Sequence, residues 1–127
     1  MNINIKATGI ELTVAISDYA HKKFSAIEKY VDKHNSNVVA QVEVGKSTHH
    51  HKTGNVFRAE VHLVGDGLDL YAVSEQDDLY AAIDLVKDEI MHNMLQLKGK
   101  RETLARRGAS MIKDIMKGLA RGFKRRE

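Results

Sequence analysis

Between residues 87 and 127 the chain places 12 Lys or Arg against 5 Asp or Glu, a net of +7, whereas residues 1 to 86 carry 8 against 12, a net of −4. Cations gathered into one third of a chain are suited to neutralising a polyanion. Nucleic acid is the commonest such partner, and an anionic membrane is the main competitor. At 100° per residue, Arg106, Lys113, Lys117 and Lys124 fall within about 40° of each other. Lys100, Arg101, Arg107, Arg121, Arg125 and Arg126 surround that stripe, while Leu104, Met111, Ile112, Ile115, Leu119 and Phe123 keep helical spacing opposite it. The pattern predicts a basic amphipathic helix, weakened at Gly108, Gly118 and Gly122 by about 1 kcal/mol each relative to Ala. A second set, Lys22, Lys23, Lys29 and Lys33, lies on or beside the solvent face of an earlier predicted helix. Glu28 and Asp32 share that face, so a solvated mixed-charge surface stands beside phosphate contact as a reading.

Other chemistry finds less support. His49, His50 and His51 are adjacent in a predicted loop, where successive side chains diverge, and no carboxylate or Cys lies near them in sequence. A metal site needs converging ligands with oriented partners, so none is expected. Asp77 and Asp78 have a sufficient role as negative charge at the start of a helix, and Asp84 reads as solvent-facing. Tyr80 could stack on a base, though its place one residue past the first core position suits packing at the sheet edge. Without Cys there is no disulfide, thiolate metal site or cysteine nucleophile. No nucleophile elbow, Walker-type loop or Gly-x-Gly-x-x-Gly occurs. An enzyme, a small-molecule substrate, a cofactor and a metal are therefore not expected.

The elements that position these residues follow from periodicity. Residues 2 to 7 alternate, with Ile3, Ile5 and Ala7 against Asn2, Asn4 and Lys6, as in a half-buried strand. Thr13 is a good N-cap for a helix reaching roughly Lys33, with Ile16, Ala20, Phe24, Ile27 and Val31 as its apolar stripe. Val38 to Val44 and Val56 to Val64 read as strands, with an exposed connection from Gly45 through Gly54. Gly65-Asp66-Gly67 signals a tight turn into a last strand, Leu68 to Val73. Ser74 followed by Asp77 suggests a capping-box-like start to a helix running to Lys98, with Gly99 as its stop. On it Leu79, Ile83, Val86, Ile90, Met94 and Leu97 share one face. The order β-α-β-β-β-α implies an α+β fold, a four-stranded mostly antiparallel sheet with two helices packed on one face, plus a basic C-terminal helical extension. The expected division is a domain over 1–100 and an extension over 101–127.

With 127 residues and 43% hydrophobic content, one globular domain with an appendage is expected. No run of 18 apolar residues and no leader pattern occurs, which points to a soluble, cytoplasmic protein. Met91 and Leu95 point away from the core stripe of the second helix. They are a candidate self-association patch, together with the C-terminal helix.

Two stretches, Ile10 to Lys33 and Ser74 to Asp84, resemble the short ribosome hibernation-promoting factors, also called ribosome-associated translation inhibitors. The pieces that match are Glu11-Leu12-Thr13 at the helix entry, Lys23-Phe24, Ile27-Glu28, Tyr30, Asp32-Lys33 and the run from Asp78 through Leu79, Tyr80, Ala81, Ala82 and Ile83 to Asp84. The resemblance spans roughly residues 1 to 100. It implies a non-enzymatic module that binds the small ribosomal subunit in the decoding channel, occludes messenger and transfer RNA, and protects idle ribosomes in stress or stationary phase. Its lysines meet ribosomal RNA phosphates, and Lys23, Lys33, Lys98 and Lys100 match basic family positions. Ala26, Glu89, His92 and Gln96 depart from positions that commonly hold Lys or Arg. The segment after Arg101 resembles neither the acidic tail of one short subgroup nor the added dimerisation domain of long forms, and its charge reads as compensation. The RNA-binding set is therefore Lys22, Lys23, Lys29, Lys33, Lys87, Lys98, Lys100, Arg101, Arg106, Arg107, Lys113, Lys117 and Lys124. The other reading is a general RNA-binding or anionic-membrane-peripheral adaptor driven by the basic C-terminal helix.

Overall fold

Period-two alternation builds one apolar face on the sheet. It is formed by Ile3, Ile5 and Ala7 on β1 (Asn2–Thr8), Ala40, Val42 and Val44 on β2 (Val39–Lys46), Ala59, Val61 and Leu63 on β3 (Phe57–Gly65), and Ala72 on β4 (Leu68–Gln76). The strand order is β1-β2-β3-β4. Pairings Ile5 with Val42, Val42 with Val61 and Val61 with Ala72 carry one hydrophobic row across all four strands. β1 runs parallel to β2, while β2–β3 and β3–β4 are antiparallel. The fold is thus α+β with a mixed, mostly antiparallel sheet. The computed structural model describes residues 1–31, 37–46 and 56–125, with side chains through residue 101 and at 103, 104, 106–109, 111, 113 and 117.

A parallel pair needs a crossover, and α1 (Val14–Ser25) lies in it. Thr13 caps this helix as expected, its Oγ1 accepting from the Ile16 N–H at 3.2 Å. α1 passes directly into a 3-10 helix, Ala26–Tyr30, and Ala20, Phe24, Ile27 and Val31 are buried along the way. The β3–β4 hairpin turns through Asp66 and Gly67, with φ of 52° and 81°. Two successive positive φ values are what a two-residue hairpin loop of this hand requires. α2 (Leu79–Arg125) buries Leu79, Ile83, Val86, Ile90 and Met94 in the same core as α1 and the sheet. The chain forms two compact units, Met1–Met94 and Leu95–Glu127.

Four expectations need correction. Ser74 is not a helix cap, because β4 continues through Gln76 to pair with Phe57. Asp78 supplies the cap instead, its Oδ2 accepting from the Ala81 N–H at 3.3 Å. Gly99 does not end the helix, and α2 runs to Arg125. The helical hydrogen-bond ladder tolerates an isolated Gly at about 1 kcal/mol when good helix formers flank it. The first α-helix ends at Ser25, with a 3-10 turn replacing its last part. Finally, Gly45 and Lys46 belong to β2 rather than to a loop.

Candidate nucleic-acid interface

The periodicity that buries Ala20 and Phe24 also sends Lys22 and Lys23 toward solvent, one turn from the end of α1. Lys22 is exposed, as is Lys29 on the 3-10 helix. Lys23 is not a bare cation: its Nζ lies 3.3 Å from Asp84 Oδ1 on α2. Tyr19, one turn before Lys23, donates its hydroxyl to that same Asp84 oxygen at 2.6 Å. The Lys23 ammonium also lies 5.4 Å from the Tyr19 ring centroid. Tyr80, one turn before Asp84, meets the Tyr19 ring edge-on, with centroids 4.8 Å apart at 90°. Tyr80 therefore packs on Tyr19 of α1 while staying 38% exposed.

Electrostatics follow from this geometry. The Asp84 hydrogen bond, then burial and the nearby carboxylate charge, push Tyr19 up to about 12. Burial works against ionisation of Asp84. The hydrogen bonds from Tyr19 and Lys23 and the charges of Lys23 and Lys87 outweigh it, holding the carboxyl below its usual range. Reading Asp84 as merely solvent-facing missed this role. The available signal was a matched pair of four-residue steps, Tyr19 to Lys23 on one helix and Tyr80 to Asp84 on the other.

Of the expected set, Lys22, Lys23, Lys29 and Lys87 belong to the first unit. Lys87 is mostly buried along its stem and pairs with Asp88 at 2.5 Å. Lys98, Lys100, Arg101, Arg106, Arg107, Lys113 and Lys117 lie on the part of α2 in the second unit, and all are exposed. Lys124 is on α2, but its side chain lies outside those described. Lys33 and the run His49 to His51 lie outside the described residues. Among the described residues no group of three His, Cys, Asp or Glu could hold a metal ion, and no helix is long and apolar enough to cross a membrane. Met91 packs half-buried against the core of the first unit rather than pointing away from it, and Leu95, in the second unit, is 43% exposed.

The sheet face opposite the helices carries a polar network that sequence patterning gave no reason to single out. Glu60 accepts from the Tyr71 hydroxyl and pairs with Arg58 at 3.2 Å. Glu43 accepts from Thr8 Oγ1 at 2.6 Å, and His62 meets Asp69 at 2.5 Å. An open hollow of about 500 Å³ lies over this face, lined by Glu43, Glu60, Lys6 and Tyr71 among others. Glu43 and Glu60, cross-strand partners in its lining, disfavour an anion on this face. By counts, the first unit holds 9 Lys or Arg against 14 Asp or Glu, net −5, and the second holds 11 against 3, net +8. The two units thus carry net charge of opposite sign.

The chain matches the family model described as Sigma 54 modulation protein / S30EA ribosomal protein over residues 3–102. It is 31% identical over 101 residues to the Ribosome hibernation promoting factor of Azotobacter vinelandii, covering 79% of this chain and 85% of that one. With the protein of the same name from Escherichia coli (strain K12) it shares 31% over 100 residues, covering 79% and 96%. Among solved structures it superposes on the N-terminal domain of Thermus thermophilus Protein Y with a TM-score of 0.64 and 28% identity, covering 76% of this chain and 99% of that one. It shares its fold with a ribosomal subunit interface protein from Coxiella burnetii, with a TM-score of 0.63 and 16% identity over 78% and 99% of the two chains.

Proposed function

This chain belongs to the Sigma 54 modulation protein / S30EA ribosomal protein family, and from that membership we propose that it binds small-subunit ribosomal RNA in the decoding channel. Bound there, it occludes messenger and transfer RNA and keeps ribosomes idle in stress or stationary phase. The family is one of non-enzymatic ribosome-associated proteins, and the chain is a ribosome hibernation factor at that level of description. Ribosome association implies a cytoplasmic location. What carries the reading is that the family match spans nearly the whole of the first unit, including the strands, α1 and the buried face of α2.

The physics required is modest. Lys22 and Lys29 meet phosphates on the helical side, Lys23 adds to them as far as its pairing with Asp84 allows, and Lys33 and Lys87 complete the proposed set. Each phosphate neutralised releases condensed counterions, so binding should weaken steeply as salt rises. Such contacts position the protein without reading base sequence. Lys98, Lys100, Arg101, Arg106, Arg107, Lys113, Lys117 and Lys124 add a second basic segment that strengthens the grip. Co-sedimentation with small subunits across a salt series, together with in-vitro translation, tests this. Failure to co-sediment at low salt, or unchanged translation at saturating protein, would refute it.

A second reading has one specific observation in its favour. Residues 103–127 lie beyond the family match, and they carry much of the second unit's net charge of +8. On that reading the segment acts as a general RNA or anionic-membrane adaptor, with Leu104 and Met111, both 65% exposed, able to enter a headgroup layer. Deleting residues 102–127 separates the two. A truncated chain that still inhibits ribosomes supports the hibernation reading, and one that binds nothing supports the adaptor.

A further inference from the structure

The helical side of the first unit holds an anion of its own at the point where RNA would need a cation. Asp84 Oδ1 receives Lys23 Nζ at 3.3 Å and the Tyr19 hydroxyl at 2.6 Å. A carboxylate oxygen gathering an ammonium and a hydroxyl is bound much as a phosphate oxygen would be. The site is not sealed, since the Lys23 and Asp84 side chains remain 34% and 41% exposed. Ion pairs this open to water hold weakly against a competing anion. Tyr19 and Tyr80 meet edge-on beside this site.

We propose that Asp84 occupies, in the free protein, the place of an RNA phosphate on Lys23, and so sets both the affinity and the salt sensitivity of this face. The inference rests on the RNA-binding reading above and names the residue that limits it. When a phosphodiester reaches Lys23, the amine exchanges one anion for another. The Tyr19 hydroxyl keeps Asp84 on α2, so the carboxylate stays close and repels the incoming phosphate. Lys23 therefore contributes little net binding in the native sequence. Asp84 acts as a positioning residue with an inhibitory sign, which a simple helix-to-helix bolt would not have.

The test uses the full-length chain with Asp84→Asn, titrated against a labelled single-stranded RNA and against purified small subunits over a salt series. Asn retains an acceptor for Tyr19 while removing the charge. Affinity at low salt should rise by about three- to tenfold, and the slope of log K against log salt should steepen by about 0.7, one further phosphate on a single strand. Adding Lys23→Met to Asp84→Asn should return both quantities to native values. Lys23→Met alone should lower the slope by well under the about 0.7 of one full phosphate contact, a measurement that stands even if Asp84→Asn fails to fold. Unchanged or weaker binding by a folded Asp84→Asn protein overturns the inference, and so does a slope lower by the full amount of about 0.7 in Lys23→Met alone. If the native chain itself ignores both RNA and subunits, the RNA-binding reading falls first. Binding by the native chain with no gain in Asp84→Asn sinks the Asp84 inference alone.

Discussion

The Tyr19 hydroxyl on α1 donates to Asp84 on α2 at 2.6 Å, joining side chains 65 positions apart in the chain. Replacing it by Tyr19→Phe keeps the ring against Tyr80 and removes only the donor. Asp84 would retain Lys23 and solvent, so no buried orphan is left behind. A loss of about 0.5 to 1.5 kcal/mol is expected, the usual net value of one such bond. Urea denaturation measures it. A loss well above that range would mean the hydroxyl holds more of the helix pair than this one contact.

Stability should fall at both pH extremes for separable reasons. Tyr19 is raised from 10.0 to about 12, chiefly by its hydrogen bond to Asp84, so the folded state holds that proton more tightly than the unfolded chain does. Its contribution is complete below about pH 10 and is lost as pH climbs toward about 12. Tyr71 is raised as well, mainly by its bond to Glu60, and adds to the same alkaline limb. Asp84 and Glu43 are lowered, Glu43 chiefly by its bond from Thr8. Their contribution is complete above the ordinary carboxylate range near about pH 4 and is lost as pH falls through their lower folded values. Melting temperatures should therefore plateau between the limbs. Tyr19→Phe should shrink the alkaline fall, and Asp84→Asn the acid one. Limbs unmoved by these substitutions would assign the pH dependence to other groups.

How much of this was legible in the chain depends on whether the physics was local. Strands β1 and β3 could be read because one buried face imposes strict alternation, as in Phe57, Ala59, Val61 and Leu63. Thr13 could be read because a cap is decided within four residues. The start of α2 could not, because Ser74 and Gln76 are held extended by Ala59 and Phe57 on a neighbouring strand. Single-chain propensity does not see that partner. The Asp84 site failed for a related reason: its donors come from a helix far away in sequence, and each half looks like an ordinary exposed residue. Lysine positions were visible, but their pairing with Asp84 and Asp88 was not.

Gly45 offers a test of the parallel edge of the sheet. It pairs with Thr8, and a Cβ built there would lie 2.2 Å from the Thr8 carbonyl oxygen. Backbone cannot step aside cheaply, so Gly45→Ala should push the end of β1 off β2 and disturb the Thr8 to Glu43 bond. A cost of about 1 to 3 kcal/mol is expected from overpacking of this kind. Hydrogen exchange should speed up at the end of β1 while α2 amides near Ile83 remain protected. Uniform loss of protection would show that the edge does not yield locally.

Removing Phe24 tests the core that supports the helical side. Phe24 is fully buried among Ile27, Ile83 and the sheet. Phe24→Ala should cost about 3 to 5 kcal/mol through lost burial and the cavity left behind. Small domains are stable by only about 5 to 15 kcal/mol, so the variant should approach the edge of folding. Urea midpoints give the answer, and a cost under about 1 kcal/mol would place Phe24 in a site able to collapse.

The opposite signs of the two units lead to a prediction about which cations matter at which salt. In the first unit, Lys22 and Lys29 are exposed within a body of net −5, so a phosphate contact there would be short-range and opposed by the surrounding field. In the second, Arg106, Arg107, Lys113 and Lys117 are exposed within a segment of net +8, which attracts a polyanion from a distance. Changing those four to Gln should lower the salt slope by up to about 2.8 on a single strand, and Lys22→Met with Lys29→Met by up to about 1.4. Attraction from a distance is screened within about 8 Å at physiological ionic strength. The four-residue variant should therefore lose most of its affinity at low salt and converge on the native protein as salt rises. If the family fold carries the activity, that variant still inhibits translation at physiological salt, while the Lys22 and Lys29 variant does not. The reverse result would move the activity to the basic segment and leave the first unit as its scaffold.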